Sequence, residues 1–82
     1  MVRVRFFATL RNIVRKNELE LQANTVGELL EKLYSKYPKI EKELEKGVVI
    51  LVNGKNIEHL EKLNTKLKDE DLVSIFPPVG GG

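Results

Sequence analysis

Cysteine and tryptophan are absent from this 82-residue sequence, and histidine occurs once. Without cysteine the chain can form neither disulfides nor thiolate metal sites, and it has no thiol nucleophile. Long apolar runs are missing as well. None approaches the ~18 residues of a membrane span, and the apolar stretch at residues 6–10 is shorter than the ~7–15 residues of a signal-peptide core. We therefore expect a cytoplasmic protein with no membrane partner.

The residue groupings typical of an enzyme are missing too. The single histidine, His59, lies between acidic and apolar neighbours and is expected at the surface. The glutamates interleave with lysines on predicted helices, which is typical of a solvated face. Neither a phosphate-binding glycine loop nor metal-ligand spacing occurs. We therefore expect no metal site, no bound cofactor and no catalysis by this chain alone.

Positive charge is concentrated at the start of the chain. The first 17 residues contain five cations and no acid: Arg3, Arg5, Arg11, Arg15 and Lys16. Such a cluster can face an anion or a nucleic acid, or it can be a solvated strand face and loop. Because the net charge is only +2, we favour the solvated face and expect no nucleic-acid partner.

Hydrophobic periodicity predicts a small α+β domain. Apolar and polar residues alternate at 2–9 and at 18–23, which predicts an antiparallel strand pair. Thr25 and Glu28 have the spacing of a helix-capping box. Apolar residues at helical spacing follow as far as Pro38, which ends the helix, and a second short helical segment comes after it.

The second half of the chain predicts three more strands. Residues 48–52 form a continuous β-branched run, which favours a strand buried on both faces. Asn53-Gly54 is a tight-turn signal and leads into a short return strand predicted at 56–58. The last strand, at 72–76, stops at two prolines. The order β-β-α-β-β-β predicts a β-grasp, a mixed sheet of four to five strands packed on one main helix.

The end of the chain, residues 77–82, is predicted to be a flexible tail on a domain formed by residues 1–76. The tail reads Pro77, Pro78, Val79, Gly80, Gly81 and Gly82. Prolines fix extended geometry, and terminal glycines lose the most entropy on ordering, so folding does not explain them. A close fit to another protein does, because glycines let a narrow channel surround the backbone. The terminal carbonyl of Gly82 is then the predicted reactive group, once a partner that uses ATP converts it to an acyl-adenylate.

In these features the whole chain resembles the MoaD/ThiS family of ubiquitin-like sulfur carriers. The resemblance is carried by residues 4–11, by Val52-Asn53-Gly54, by the turn at 69–71 and, most specifically, by Phe76-Pro77-Pro78-Val79 before the glycines. Within the family it is strongest to the small subunit of molybdopterin synthase. The resemblance implies that a ubiquitin-activating-type adenylating enzyme activates Gly82 and that a thiocarboxylate forms there. The large synthase subunit would then receive the sulfur for a pterin that holds molybdenum or tungsten.

The β-grasp order also predicts a partner-binding patch. It sets the first and last strands side by side, and strand alternation then turns Phe7 and Phe76 away from the helix. Exposed apolar patches mark interfaces, and aromatic residues are frequent anchors there. We therefore expect Phe7 and Phe76 to bind partners together with the tail, and Ile57 to extend the patch. A register slip would instead exchange the faces and place one ring in the core.

Three other functions fit the same residues. A ubiquitin-like modifier would use the same tail and activation but would be joined to lysine amines. A sulfur carrier of the thiamine or tRNA-thiolation pathway is favoured by the three glycines at 80–82, whereas Pro77-Pro78 favours the molybdopterin pathway. A passive interaction module would leave the glycines without a role.

Overall fold

The structure of the protein is a computed structural model that describes residues 1–78, and the predicted tail residues 79–82 lie outside it. Two 3₁₀ turns, Ile57–His59 and Lys62–Asn64, lie in the connection to the last strand. In chain order the strands and helices are β1 (Val2–Phe6), α1 (Thr9–Val14), β2 (Glu18–Leu21), α2 (Val26–Lys36), α3 (Pro38–Leu44), β3 (Val49–Val52), β4 (Lys55–Asn56) and β5 (Leu72–Phe76).

The strands form one mixed sheet of five with the order β2-β1-β5-β3-β4. The central pair, β1 and β5, is parallel, and the other neighbours are antiparallel. One face of this sheet shares its core with α2. The most deeply buried large side chains of that core include Val4, Phe6, Leu29, Leu33, Val73 and Ile75. This is the β-grasp predicted from the order of the elements.

Helix α2 begins where the capping-box pattern predicts. The Oγ1 atom of Thr25 accepts a hydrogen bond from the backbone N–H of Glu28 at 3.1 Å, and the Glu28 carboxylate accepts one from the backbone N–H of Asn24. The helix ends at Lys36, and Pro38 then begins α3, because a proline is well tolerated at the first position of a helix. None of the helices described in residues 1–78 has the length and apolar character needed to cross a membrane.

Strand β3 differs from the prediction that it is buried on both faces. Ile50 and Val52 point into the core, but Val49 is 46% exposed. The prediction was wrong because α2 covers one face of the sheet only, and an unbroken apolar run does not reveal which of its faces has a cover. The outward residues of β3 therefore belong to an apolar surface on the open face.

The connection after β3 differs as well. The Asn53-Gly54 turn forms, but β4 is only two residues long, Lys55–Asn56, and the predicted return strand ends there. The side-chain oxygen of Asn56 accepts a hydrogen bond from the backbone N–H of Glu58 at 2.9 Å. This bond caps a 3₁₀ turn, a local alternative to strand pairing that asparagine side chains favour.

Candidate functional site

Phe7 and Phe76 lie side by side on the open face of the sheet. Parallel pairing of β1 with β5 places Phe6 opposite Ile75, and both of these point into the core. The next residues along each strand, Phe7 and Phe76, are half-buried and stack, with ring centroids 4.3 Å apart and 14° between the ring planes. The predicted geometry is confirmed, and the register slip that would bury one ring does not occur.

Other apolar side chains surround this pair. Antiparallel pairing sets Val49 opposite Phe76 and Leu51 opposite Ser74, so that both side chains fall on the open face. Leu72 lies two residues before Ser74 and faces the same way, because side chains alternate along a strand. We call these residues the sheet patch: Phe7, Val49, Leu51, Leu72 and Phe76.

Charged residues border the sheet patch on the side of β1 and β2. The Nη2 atom of Arg5 lies 3.2 Å from Oε1 of Glu18, and Nη1 of Arg3 lies 3.9 Å from Oε2 of the same carboxylate. These pairs are partly exposed and add little to stability. An apolar centre with a polar rim is the usual anatomy of a protein–protein interface.

The two prolines after β5 pack on the domain. Pro77 is buried and continues the inward alternation of Val73 and Ile75, whereas Pro78 is half-buried. A Cβ atom placed on Gly47 would lie 3.9 Å from Cβ of Pro78. The inward alternation of β5 therefore carries Pro77 into the domain, and the flexible tail at 77–82 stays a prediction.

A shallow groove lies where the chain leaves the sheet. Its walls carry no charged or hydrogen-bonding side chain, and it adjoins the sheet patch through Val49 and Phe76. We call it the exit groove, and it is lined by Gly47, Val48, Val49, Phe76, Pro77 and Pro78. An extended backbone continuing from Pro78 therefore starts from an apolar surface.

Ile57 lies in the core beside the sheet patch instead of being exposed on it. It is only 7% exposed and belongs to the hydrophobic core. It also lines a depression that reaches the sheet patch at Val49. The expected exposure is wrong because the chain enters a 3₁₀ turn at Ile57, where strand alternation no longer decides which way a side chain points, and a role of Ile57 in partner binding stays a prediction.

Val49 and Leu51 are patch residues that sequence reasoning missed. The signal lay in the pairing of β3 with β5, since residues paired directly across two strands share a face. That pairing follows from the tertiary fold rather than from the apolar run at 48–52. The remaining predicted site residues, Val79, Gly80, Gly81 and Gly82, lie outside the described residues, and their role stays a prediction.

The sheet patch and the exit groove offer an apolar contact surface. The sheet patch and the exit groove contain no nucleophile and no acid–base pair. Among residues 1–78 there is also no cluster of three or more metal-binding side chains. An apolar patch with two stacked rings, next to the point where the chain leaves the sheet, suits a surface on which a partner holds the domain.

Comparison with known sequences places this geometry in a family. The sequence model of the ThiS family matches residues 4–82. The chain is 36% identical over 88 aligned residues to small archaeal modifier protein 3 of Haloferax volcanii, with 96% of each chain covered. It is 35% identical to a putative sulfur carrier protein of Archaeoglobus fulgidus, over 84% of this chain and 89% of that one.

Solved structures agree. Small archaeal modifier protein 1 of Methanosarcina acetivorans has a TM-score of 0.89 and 41% identity, and the match covers 99% of this chain and 95% of that one. Subunit 1 of the molybdopterin-converting factor of Helicobacter pylori, solved in a complex with subunit 2, has a TM-score of 0.68 and 31% identity, with 99% and 97% covered. The chain therefore belongs to the ThiS/MoaD family of ubiquitin-like sulfur carriers and modifiers.

Proposed function

We propose that this chain is a ubiquitin-like modifier, activated at the carboxylate of Gly82 by an ATP-using adenylating enzyme of the cytoplasm and joined to lysine amines of other proteins. The observation that carries the proposal is the course of β5. This central strand runs through Phe76 into Pro77 and Pro78, and the sequence continues from there into Val79 and three glycines. The similarity to two small archaeal modifier proteins favours a modifier over a carrier that serves molybdopterin synthesis alone.

The chemistry begins with a poor electrophile. A carboxylate is anionic, and its leaving group would be oxide. Attack of the Gly82 carboxylate on the α-phosphorus of ATP releases pyrophosphate and gives an acyl-adenylate whose leaving group is AMP. A lysine amine can then attack the acyl carbon, expel AMP, lose a proton and leave an isopeptide bond. Two moderate steps thereby replace one difficult step.

Sulfur donation is the second candidate, and it needs the same activation. Attack of hydrosulfide, or of a persulfide whose S–S bond is then reduced by a thiol, expels AMP and leaves a thiocarboxylate at Gly82. The similarity to a relative named a putative sulfur carrier supports this candidate. So does the similarity to a subunit 1 that was solved with subunit 2 of a molybdopterin-converting factor, together with the Pro77-Pro78 sequence. In that case the large synthase subunit is the recipient, and the product is the pterin that holds molybdenum or tungsten.

The described surface supports a role for the domain itself in holding the partner. Phe76 lines the exit groove and Phe7 stacks on Phe76, so a partner that covers the sheet patch also reaches the beginning of the tail. A partner anchored there fixes the tail at its base and lets an extended backbone enter a narrow channel. With four residues after Pro78, the tail reaches at most about 14 Å from its anchor. The acceptor or the adenylate site must therefore lie within that distance of the exit groove.

The test uses the full chain with an N-terminal tag, expressed in its source organism, beside a matched variant that lacks Gly82. A modifier gives a ladder of tagged species that survives denaturation and thiols, since isopeptide bonds resist both. A sulfur donor gives a free species heavier by about 16 Da, the replacement of oxygen by sulfur. Both signals must vanish in the variant, while its urea unfolding midpoint stays unchanged.

Each outcome decides between the candidates. A ladder without the mass increase supports the modifier alone, and the mass increase without a ladder supports sulfur donation alone. If neither appears although purified adenylating enzyme and ATP are supplied, activation at Gly82 is wrong. If the variant without Gly82 still yields conjugates, Gly82 is not the required attachment residue.

A further inference from the structure

Three lysines of α3 and of the turn after it lie on one side of this segment. Lys39 and Lys42 belong to α3, and Lys46 lies two residues beyond its last residue. Their spacing of three and four residues places them together, with Glu43 among them. All three lysines are exposed. This side is directed towards α1, because Lys39, Lys42 and Lys46 line a depression together with Ile13 of that helix.

Helix α1 and the loop after it add three more cations. Arg11, Arg15 and Lys16 line an adjoining depression with Asn12 and Asn17, and all three cations are exposed. We call these six residues the basic face: Arg11, Arg15, Lys16, Lys39, Lys42 and Lys46. Within residues 1–78 none of the six forms an ion pair.

The two halves of the basic face are held together. The Oγ1 atom of Thr9, at the start of α1, donates a hydrogen bond to Oε1 of Glu43 on α3 at 3.3 Å. Buried side chains on both helices, Leu10 and Val14 on α1 and Ile40 and Leu44 on α3, belong to one core. The cations therefore project from a fixed surface, and this limits the entropy lost when they bind a partner.

The occupant that fits this surface is an acid-rich protein segment. Ile13 supplies a half-buried apolar floor between the lysine stems, which suits an aliphatic side chain flanked by carboxylates. No aromatic residue lines either depression, whereas proteins that bind single-stranded nucleic acid stack bases on aromatic rings.

The position of the basic face indicates which protein brings that segment. Lys46 is followed directly by Gly47, and Gly47 lines the exit groove with Pro78. The basic face thus adjoins the place where the C-terminal tail begins. We propose that the basic face docks an acid-rich segment of the protein that holds the tail, an identification of the partner that rests on the proposed function.

The test is an NMR titration of the full-length protein with a synthetic twelve-residue peptide of alternating glutamate and leucine. At low ionic strength the expected shifts are saturable and fall on the backbone amides of residues 9–17 and 39–46. Raising the salt from about 20 to about 300 mM shortens the Debye length and should weaken binding at least tenfold. The double variant Lys42→Glu/Lys46→Glu should weaken binding at least tenfold as well.

A matched control separates local from overall charge. Lys55→Glu/Lys66→Glu changes exposed lysines away from the basic face and alters the net charge equally, from +2 by −4 to −2. It should weaken peptide binding less than threefold. Equal losses in both double variants overturn the proposal, as do shifts centred on the sheet patch. Tighter binding of a twelve-nucleotide oligothymidylate at the same amides overturns it too, in favour of a nucleic-acid surface.

Two further arms distinguish failure of this inference from failure of the proposed function. A chain that ends at Pro78 should bind the peptide as tightly as the full chain, since the basic face does not include the tail. The adenylating enzyme, with ATP, should form the adenylate on Lys42→Glu/Lys46→Glu at least tenfold more slowly at limiting enzyme. A variant that binds no peptide but is adenylated at the normal rate overturns the link to the tail. Adenylate missing from every chain, with peptide binding intact, overturns only the proposed function.

Discussion

Asn53 and Asp71 are joined across the end of the sheet opposite the exit groove. The Nδ2 atom of Asn53 donates to Oδ1 of Asp71 at 2.9 Å, and Oδ1 of Asn53 accepts from the backbone N–H of Leu72 at 2.9 Å. The other oxygen of Asp71 accepts from the backbone N–H of Lys68 at 2.8 Å. The turn between β3 and β4 is therefore attached to the first residue of β5. This attachment helps set the register that brings Phe76 beside Phe7.

The first prediction concerns pH. Burial raises the pKa of Asp71, but the hydrogen bonds from Lys68 and Asn53 and the charge of Lys68 outweigh burial and hold it below its ordinary value of 3.8. Because the pKa of Asp71 is lower in the folded chain than in the unfolded chain, the ionised carboxylate stabilises the fold at pH values above 3.8. This stabilisation is lost as the pH falls through the folded pKa. Asp71→Asn should lower the free energy of unfolding by ~1 kcal/mol at pH 7 and by less below pH ~4.

Urea unfolding from pH 2 to 7 checks this prediction. Glu61→Gln is the matched control, since Glu61 is exposed and its carboxylate makes no hydrogen bond within the described chain. The free energy of unfolding of Glu61→Gln should equal that of the parent protein at every pH from 2 to 7. If Asp71→Asn lowers the free energy of unfolding by the same amount at pH 3 and at pH 7, the loss does not come from the ionised carboxylate, and the explanation is wrong.

The sequence predicted the features that depend on residues close together in the chain. The capping box of Thr25 and Glu28 and the turn at Asn53-Gly54 both form. So does the inward alternation of β1 and β5, which alone was enough to place Phe7 and Phe76 on the open face. In each case the sequence pattern depends on residues a few positions apart, and the packing of the rest of the chain favours the same local structure.

The errors lie where two physical tendencies compete. Residues 48–52 were predicted to be buried on both faces, but hydrophobicity alone does not say whether a helix lies on each side. At Ile57 the strand pattern competes with the capping side chain of Asn56, and the 3₁₀ turn is the outcome. The predicted tail starts at Pro77 because prolines end strands, whereas the side chain of Pro77 continues the inward alternation of β5. Both Ile57 and Pro77 are apolar residues whose burial depends on distant chain segments.

The second prediction concerns the turn glycine. Asn53 and Gly54 have φ angles of 51° and 87°, as in the two-residue hairpin turns that favour Asn-Gly. A Cβ atom on Gly54 would meet nothing within 4 Å, so that the cost of an alanine is purely conformational. Gly54→Ala should lower the free energy of unfolding by ~1–2 kcal/mol. Gly54→Asn should lower it by less, because asparagine tolerates this conformation, and equal losses in urea unfolding would contradict the explanation.

The third prediction is the reverse substitution at another turn. Ala8 has φ 52° and ψ −130°, and the backbone N–H of Leu10 donates to the carbonyl of Phe7 across it at 3.1 Å. This is the geometry of a type II′ turn, whose first central residue is normally glycine. Ala8→Gly should therefore raise the free energy of unfolding by ~1 kcal/mol. The thermal midpoint should rise by a few degrees, by about 4–8 °C per kcal/mol in a domain of this size.

Ala8→Ser is the control for that turn. Serine has the same Cβ constraint as alanine, and Ala8 is exposed, so neither lost packing nor lost burial enters the comparison. The thermal unfolding midpoint of Ala8→Ser should not rise above that of the parent protein. If glycine and serine give the same midpoint, the turn stores no strain at this position.

The fourth prediction separates the two roles of the stacked rings. Aromatic pairs contribute about 0.5–1.5 kcal/mol beyond their buried area. In urea unfolding, the loss from Phe7→Ala/Phe76→Ala should therefore be smaller than the sum of the single losses by about that amount. If the rings are also anchors for a partner, each single alanine should weaken the complex with the adenylating enzyme by ~2 kcal/mol, about thirtyfold. Titration calorimetry measures that affinity directly.

Leu60→Ala is the matched control for the complex, because Leu60 is 38% exposed and lines neither the exit groove nor the depression that reaches Val49. It should leave the affinity within about twofold of the parent protein, as expected for an apolar surface residue away from an interface. Phe76→Leu should recover part of the affinity lost in Phe76→Ala, since an aliphatic side chain restores buried area but not stacking. An interface centred on the sheet patch is excluded if Leu60→Ala weakens the complex as much as Phe76→Ala does. The same follows if Phe7→Ala and Phe76→Ala reduce stability but leave the affinity unchanged.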